Sequence, residues 1–346
     1  MKKSQILLIY TGGTIGMKED SESKSLQPFN FNQITKEVPE LKKINCIIDA
    51  VSFENPIDSS EVNYEFWEEI GDNIFDNYYK YDGFVVLHGT DTMSYTACAL
   101  SFMFRNLEKP IILTGSQLPI GMVRTDGKEN LITAIEIATA KRNNESLVKE
   151  VAIYFEYQLF RGNRTTKVSS EHFDAFMSYN YPVLAEIGVE IKFNLNNILV
   201  QKSKQLTYKK GFNPNVLVVF FYPGIVMNQV LKSMKDNSSN VIILYSFGSG
   251  NLPLSNELFS FIKDGPNSNK VFLNASQCAA GSVDQNKYEG GRLLKNAGVV
   301  GMKDMTIEAI IVKSMFLLNK FPNDKQKFLE FITKDVAGEL SEKSFL

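Results

Sequence analysis

Two short apolar runs constrain this chain more than anything else in it, because each ends in a glycine turn that carries a threonine. Ile6-Leu7-Leu8-Ile9 leads into Tyr10-Thr11-Gly12-Gly13-Thr14-Ile15-Gly16, and Phe84-Val85-Val86-Leu87 leads into His88-Gly89-Thr90-Asp91-Thr92. Both runs are continuously apolar rather than alternating, the pattern of a strand covered on both faces of a parallel sheet. In open α/β sheets, ligands bind outside the carboxyl ends of the strands. Two hydroxyls, one with a carboxylate beside it, are therefore expected to converge on one crevice. That set suits attack on a carbonyl by a hydroxyl.

The rest of the chain supports an α/β reading. Strands are predicted at 5–10, 45–53, 84–88, 110–114 and 151–157, with helices at about 31–38, 63–79, 92–106 and 126–142. Phe66, Ile70, Ile74 and Tyr78 recur every four residues and form one apolar stripe. Asp126-Gly127-Lys128-Glu129 reads as a helix start with an acidic cap. From Phe193 to Asn215 the composition shifts to Asn, Lys and Gln, which marks an interdomain linker. A second series follows, with strands at 216–222, 241–247 and 271–276. Its helices are predicted at 226–234, 254–263, 291–297, 305–319 and 324–334. The expected fold class is therefore two α/β domains with largely parallel sheets. A larger N-terminal domain spans 1–192, a linker 193–215, and a smaller Rossmann-like domain 216–346.

At 346 residues the chain is long enough for two domains. A net charge of −2 gives no electrostatic footprint for nucleic acid or an anionic membrane. Cys46, Cys98 and Cys278 are few and far apart, which argues for a reducing compartment and against a structural zinc site. Met1-Lys2-Lys3 before an apolar stretch imitates a signal peptide, but the stretch is too brief and runs straight into the glycine turn. A cytoplasmic protein without metal or membrane partner is expected.

Several residues carry two readings. Thr11-Gly12-Gly13-Thr14-Ile15-Gly16 can be a phosphate-binding turn or a plain tight turn, although it lacks the Lys-Ser/Thr ending and spacing of nucleotide motifs. His88 reads as a satisfied strand-end histidine, since no G-x-S-x-G elbow is present. Lys167, after Arg161-Gly162-Asn163-Arg164-Thr165-Thr166, is on its own a solvated surface lysine; brought into the crevice, it suits proton transfer. Asp58-Ser59-Ser60 is either a helix cap or a carboxylate-binding loop at the correct sheet edge. The charged stretch Lys18–Ser25 is expected to be a lid. Around Thr306–Leu318, Ile307, Ile310, Ile311, Met315 and Leu318 exceed what one domain face needs, which points to either a core helix or an oligomer contact.

Six motifs in order resemble the bacterial cytoplasmic (type I) L-asparaginases. They are Tyr10-Thr-Gly-Gly-Thr-Ile-Gly-Met17, Asp58-Ser-Ser60, Asp82-Gly-Phe-Val-Val-Leu-His-Gly-Thr-Asp-Thr-Met93, Thr114-Gly-Ser-Gln117, Arg161-Gly-Asn-Arg-Thr-Thr-Lys167 and Asp304-Met-Thr-Ile-Glu-Ala309. The resemblance implies hydrolysis of L-asparagine to L-aspartate and ammonia without cofactor, by a homotetramer built as a dimer of dimers. It implies Thr14 as nucleophile, with Thr90, Asp91 and Lys167 as the second catalytic group. It places Asp58, Ser59, Ser60, Thr90 and Asp91 in substrate binding, Ser59 on the α-carboxylate and Asp91 on the α-ammonium. Ser116 would present its backbone to the side-chain amide.

The chain also departs from that pattern. Where many members carry a lid tyrosine this chain has Leu26, and Tyr288 falls where some cytoplasmic relatives supply a hydroxyl instead. Asn251 lies in the segment that reaches a neighbouring subunit's site. Thr166 and Cys278 match the effector site of allosteric relatives, but Tyr245 stands where those carry arginine, so a hyperbolic response is expected. A tRNA-dependent amidotransferase subunit and an inactive amide sensor on the same fold are the competing readings. The start at the first strand disfavours the former, and retention of all four catalytic positions disfavours the latter.

Overall fold

The computed structural model describes residues 3–19, 26–28, 36–236, 238–265 and 269–341. It divides into two compact units, Met1–Lys210 and Gly211–Leu346. The first is organised by an eight-stranded sheet of β1 (Ser4–Gly12), β2 (Cys46–Ile57), β3 (Gly83–Leu87), β4 (Ile111–Thr114), β5 (Val151–Phe155), β6 (Gln158–Arg161), β7 (Ala185–Ile187) and β8 (Ile191–Phe193). Their spatial order is β8-β7-β6-β5-β4-β3-β1-β2. The five strands from β5 to β2 are parallel, and β6, β7 and β8 extend the sheet antiparallel.

The continuous apolar runs have the expected cause. Ile6, Leu8, Val85, Leu87 and Ile112 form one buried cluster with Leu131, Ala134, Ile135 and Ala138 of the helix Gly127–Thr139. Their alternates Leu7, Ile9, Phe84 and Val86 are equally buried on the opposite face. Among the described residues, the helices α1 (Tyr64–Asn77), α2 (Met93–Met103) and α3 (Gly127–Thr139) connect strands of this sheet. Asn63 caps α1 by accepting the Phe66 N–H at 3.0 Å, and the stripe Phe66, Ile70, Ile74, Tyr78 is buried as its spacing requires.

The sheet departs from expectation beyond β5. The apolar run predicts one strand through 157, but the chain reverses at Glu156 and Tyr157, whose φ values are 38° and 67°. That two-residue hairpin has neither Gly nor Asn at its left-handed positions, so it leaves no turn signature in the sequence. The stretch expected to link the domains stays with the first unit as far as Tyr208. Phe193 pairs with Ala185, Thr207–Tyr208 pair with Phe104–Arg105, and the Tyr208 hydroxyl donates to Asp72 at 2.8 Å. The helix expected at 31–38 and the lid at Lys18–Ser25 lie mostly outside the described residues. The flanks of that lid, Met17–Glu19 and Leu26–Pro28, pair as short antiparallel strands.

The second unit holds a four-stranded parallel sheet in sequence order: β9 (Val216–Phe220), β10 (Val241–Ser246), β11 (Val271–Ser276) and β12 (Val300–Gly301). Among the described residues it is accompanied by α4 (Met227–Asp236), α5 (Asn256–Asp264), α6 (Glu289–Asn296), α7 (Ile307–Lys320) and α8 (Lys325–Ile332). Ser255 caps α5, and Thr306 caps α7. Most of the apolar side chains of α7 are buried. Ile310, Val312, Phe316, Leu317 and Leu318 are buried, and only Ile307, Ile311 and Met315 form a half-buried stripe four residues apart.

Inside this unit α7 also buries a charge pair. Lys313 and Glu339 are both fully buried, Nζ to Oε1 2.5 Å. The ammonium further donates to the carbonyls of Ile332 and Lys334, and the carboxylate accepts the Val336 and Ala337 N–H groups. These bonds offset the desolvation that otherwise makes such pairs unfavourable, and they tie the 333–340 segment to α7. Lys313→Met strands the carboxylate in the interior and is expected to cost about 3–5 kcal/mol in urea unfolding. Lys313→Met combined with Glu339→Leu should recover part of that. A single-variant loss below about 1 kcal/mol would show that the pair does not anchor the segment.

Candidate active site

The crevice is built by glycines. β1 and β3 are parallel neighbours with Tyr10 opposite Leu87, so their carboxyl-end turns emerge side by side. The Thr11 hydroxyl donates to the Leu87 carbonyl at 2.9 Å and stitches the two turns together. A Cβ on Gly13 would lie 2.4 Å from Gly89 Cα, and Gly13 has φ +82°; only glycine serves there. A Cβ on Gly89 would in turn lie 2.6 Å from the Ser59 side chain, and one on Gly12 2.2 Å from the Ile57 carbonyl. The turns carrying Thr14, Ser59 and Thr90 therefore touch through bare backbone.

The third turn is the 3-10 segment Ser59–Glu61, where Asp58 accepts the Ser60 N–H at 2.8 Å. This supports the cap reading of Asp58, and that bond holds its carboxyl below the usual range. Ser59 is buried, whereas Ser60 is exposed. The Ser59 carbonyl accepts from the Thr92 hydroxyl at 2.6 Å, which joins this turn to the start of α2.

Lys167 is not a surface lysine. Its Nζ donates to Thr90 Oγ1 at 2.7 Å and to Asp91 Oδ1 at 2.6 Å, and its side chain is 15% exposed. It sits on the short strand Thr166–Lys167, paired with Phe176–Met177, just beyond a 3-10 turn at Gly162–Arg164. That turn is a rigid base. A Cβ on Gly162 would meet Ala97 of α2 at 2.9 Å, and Arg161 pairs with Glu150 at 2.7 Å with both side chains buried. The Arg161 and Arg164 guanidinium groups lie over the Tyr181 ring, at 4.2 and 5.3 Å from its centroid.

His88 takes the structural role. It is buried, with Nδ1 2.7 Å from the Gly89 carbonyl and Nε2 2.9 Å from Thr96 Oγ1. A carbonyl only accepts, so Nδ1 carries the proton and Nε2 accepts from Thr96. Burial pushes its pKa down to about 4. Tyr10 is unsuited as a base: burial raises its hydroxyl to about 12, and it donates to the Gly16 carbonyl at 3.1 Å.

Two site residues escaped the sequence reading. Asp126 was expected to cap α3, but Thr125 Oγ1 accepts the Gly127 N–H instead. The buried Asp126 carboxylate accepts the N–H groups of Gln117 and Leu118, at 2.8 and 3.1 Å, and so shapes the loop after β4. Gln117 then places Oε1 3.2 Å from Thr90 Oγ1. The signal for Gln117 is the Thr114-Gly-Ser-Gln117 motif, and Asp126 is visible in the sequence only as a helix cap. Ser116 follows Gly115, where a Cβ would meet the His88 carbonyl at 2.4 Å.

In the second unit, Tyr288 precedes α6 and is 51% exposed. Asn251 closes a turn through its N–H to the Phe247 carbonyl at 2.8 Å, and Tyr245 packs on Phe220 at 5.6 Å between ring centroids. Cys278 is exposed. Among the described residues no cluster of three or more His, Cys, Asp or Glu side chains could hold a metal ion. Nor is any helix long and apolar enough to cross a membrane.

Chemically, the first unit offers two threonines on backbone-rich turns, one of them bonded to a lysine that is paired with a carboxylate. That is a nucleophile and proton-transfer set for acyl transfer. The neutral state of His88 carries a sign that can be tested. Its folded pKa lies below the unfolded value near 6.5, so the unfolded chain binds more protons in between, and this contribution to stability is lost as pH falls from 6.5 towards 4. With only two histidines in the chain, NMR should show the His88 ring staying neutral until about pH 4. Titration of His88 near 6.5 would contradict the buried, doubly bonded assignment.

Comparison with known proteins identifies the family. The N-terminal asparaginase family model matches residues 5–199, and the glutaminase/asparaginase C-terminal domain model matches 215–330. The chain is 36% identical over 343 residues to L-asparaginase 1 of Escherichia coli strain K12, covering 99% of both chains. The crystal structure of L-asparaginase I from Vibrio cholerae matches with a TM-score of 0.87 at 36% identity, covering 98% of this chain and 100% of that one. The thermostable L-asparaginase from Thermococcus kodakarensis matches with a TM-score of 0.88 at 30% identity, over 98% and 100%. With its two domain models in order and full-length similarity in sequence and structure, the chain belongs to the asparaginase family.

Proposed function

We propose that this protein is an L-asparagine amidohydrolase that releases L-aspartate and ammonia by way of a threonyl ester. One observation carries the reading: Lys167 Nζ bridges Thr90 Oγ1 and Asp91 Oδ1 on the turn whose Gly89 touches Gly13, the residue before Thr14. The Thr14 hydroxyl attacks the side-chain amide carbon. Its proton passes to the departing nitrogen, the C–N bond breaks, and ammonia leaves an acyl-Thr14 ester. Water, positioned by Thr90 with Lys167 and Asp91, then splits the ester and returns the proton to Thr14. Backbone N–H groups of the glycine turns bear the developing oxyanion.

Substrate recognition follows the charges. Ser59 takes the α-carboxylate and Asp91 the α-ammonium, with Asp58, Ser60 and Thr90 lining the pocket and Ser116 offering its backbone to the amide. The family's usual assembly supports a cytoplasmic homotetramer, a dimer of dimers in which Asn251 completes a neighbour's pocket. A tetrameric mass in sedimentation is the result expected. A fully active monomer would count against Asn251.

Purified protein should release ammonia from L-asparagine with a hyperbolic rate curve, and from L-glutamine more slowly. One extra methylene is worth only about 1–3 kcal/mol of discrimination, so residual glutaminase is expected. Thr14→Ala and Thr90→Ala should each lower kcat by about 10³-fold or more, and the double variant should be little worse because such groups act as a unit. Equal rates on both amides would contradict the selectivity. Multiplicative losses in the double variant would mean two independent contributions rather than one linked set.

A further inference from the structure

The Thr90 hydroxyl has a second partner besides Lys167. Gln117 places one side-chain atom 3.2 Å from Thr90 Oγ1 and the other 3.0 Å from the backbone carbonyl of His172. Which end is which follows from chemistry. The His172 carbonyl can only accept, so the amide NH2 faces His172 and the carbonyl Oε1 faces Thr90. Lys167 donates to the same Thr90 oxygen. The single hydroxyl proton of Thr90 therefore goes to Gln117, and Lys167 takes one of the two Oγ1 lone pairs, which leaves the other as an acceptor.

This arrangement is held at both ends. Asp126, itself buried, fixes the Gln117 backbone through its N–H at 2.8 Å, and Asn130 ties the Gly115 carbonyl to the same carboxylate. At the far end, the His172 N–H donates to Ser169 Oγ at 2.9 Å. Gln117 thus spans from a buried anchor after β4 to the loop after Lys167, with Thr90 between.

We infer that Gln117 is a positioning residue for the hydrolytic half of the reaction. Its neutral carbonyl takes the Thr90 proton, so that Thr90 meets the attacking water as an acceptor rather than as a donor. The inference rests on the role of Thr90 in water positioning proposed above.

Three variants test it on the full-length enzyme with L-asparagine. Gln117→Met keeps the length and removes the acceptor. It should lower kcat by about tenfold or more while KM stays within about threefold, the split expected when ground-state binding is untouched. Gln117→Glu keeps an acceptor facing Thr90 and loses the NH2 group facing His172, and it should retain kcat within about threefold of wild type. Equal loss in both variants would mean that the His172 contact matters, and would overturn the inference. So would wild-type turnover in Gln117→Met. Melting curves are read alongside, and Gln117→Ala replaces the Met variant in the comparison where the latter unfolds at assay temperature. Thr90→Val separates the two levels of argument. If it is fully active, the role of Thr90 itself fails. If it is inactive while Gln117→Met turns over normally, only the role of Gln117 fails.

Discussion

Everything the first unit offers to a substrate depends on how closely three loops approach one another. Side chains would keep those loops several ångströms apart, and glycines remove them at the points of contact. A methyl on Gly13 would overlap the Gly89 backbone, and one on Gly89 would overlap Ser59. Gly12 and Gly13 also sit at φ +126° and +82°, which bends the chain sharply as β1 ends. The sheet supplies parallel strand ends, and the glycines bring together the turns that carry Thr14 and Thr90. Proximity of that kind is worth more in acyl transfer than any single hydrogen bond in the site.

The same unit invests heavily in keeping Lys167 still. A lysine has four rotatable bonds and loses substantial entropy when held, so its backbone must leave little further freedom. The chain before it supplies this through the buried Arg161–Glu150 pair, the Arg161 and Arg164 guanidinium groups on Tyr181, and Gly162 against Ala97. Glu150 also accepts the Leu199 N–H at 2.6 Å, so the expected linker stretch contributes to this base. These groups do not touch the crevice. They convert a flexible cation into one with defined partners, and that makes its pairing with Thr90 and Asp91 usable.

Strand and helix cores were readable because burial on both faces leaves a continuous apolar run and burial on one face leaves a four-residue stripe. β1, β3, α1 and the three long strands of the second sheet were all legible on that ground. The antiparallel extension was not, because β7 and β8 have three residues each and the Glu156–Tyr157 reversal uses residues that normally avoid left-handed backbone. Asp126 shows a subtler limit. The residue before a helix looks the same in sequence whether its carboxylate turns inwards to cap or outwards to a distant loop, and here the Gln117 and Leu118 N–H groups won. Lys167 was ambiguous for the same reason: nothing local distinguishes a solvated lysine from one folded back onto a residue 77 positions earlier.

The loop that Asp126 shapes lies in a region of crowded acidity. Glu156, on the strained reversal, is raised to about 7 by burial first and then by Asp126, Glu129 and Asp174. Between the ordinary carboxylate range and pH 7 the folded chain thus binds more protons than the unfolded one, and this site contributes less stability as pH rises through that window. Asp126 meets the same burial, which raises it, but the two backbone N–H groups it accepts oppose that rise. Glu129 takes the Tyr154 hydroxyl on both oxygens, at 2.8 Å each. Each carboxylate is thus reconciled to its neighbours in a different way, by a retained proton, by backbone donors or by a phenol. The one given backbone donors is also the one that holds Gln117, and so its charge serves geometry at the Thr90 end of the crevice.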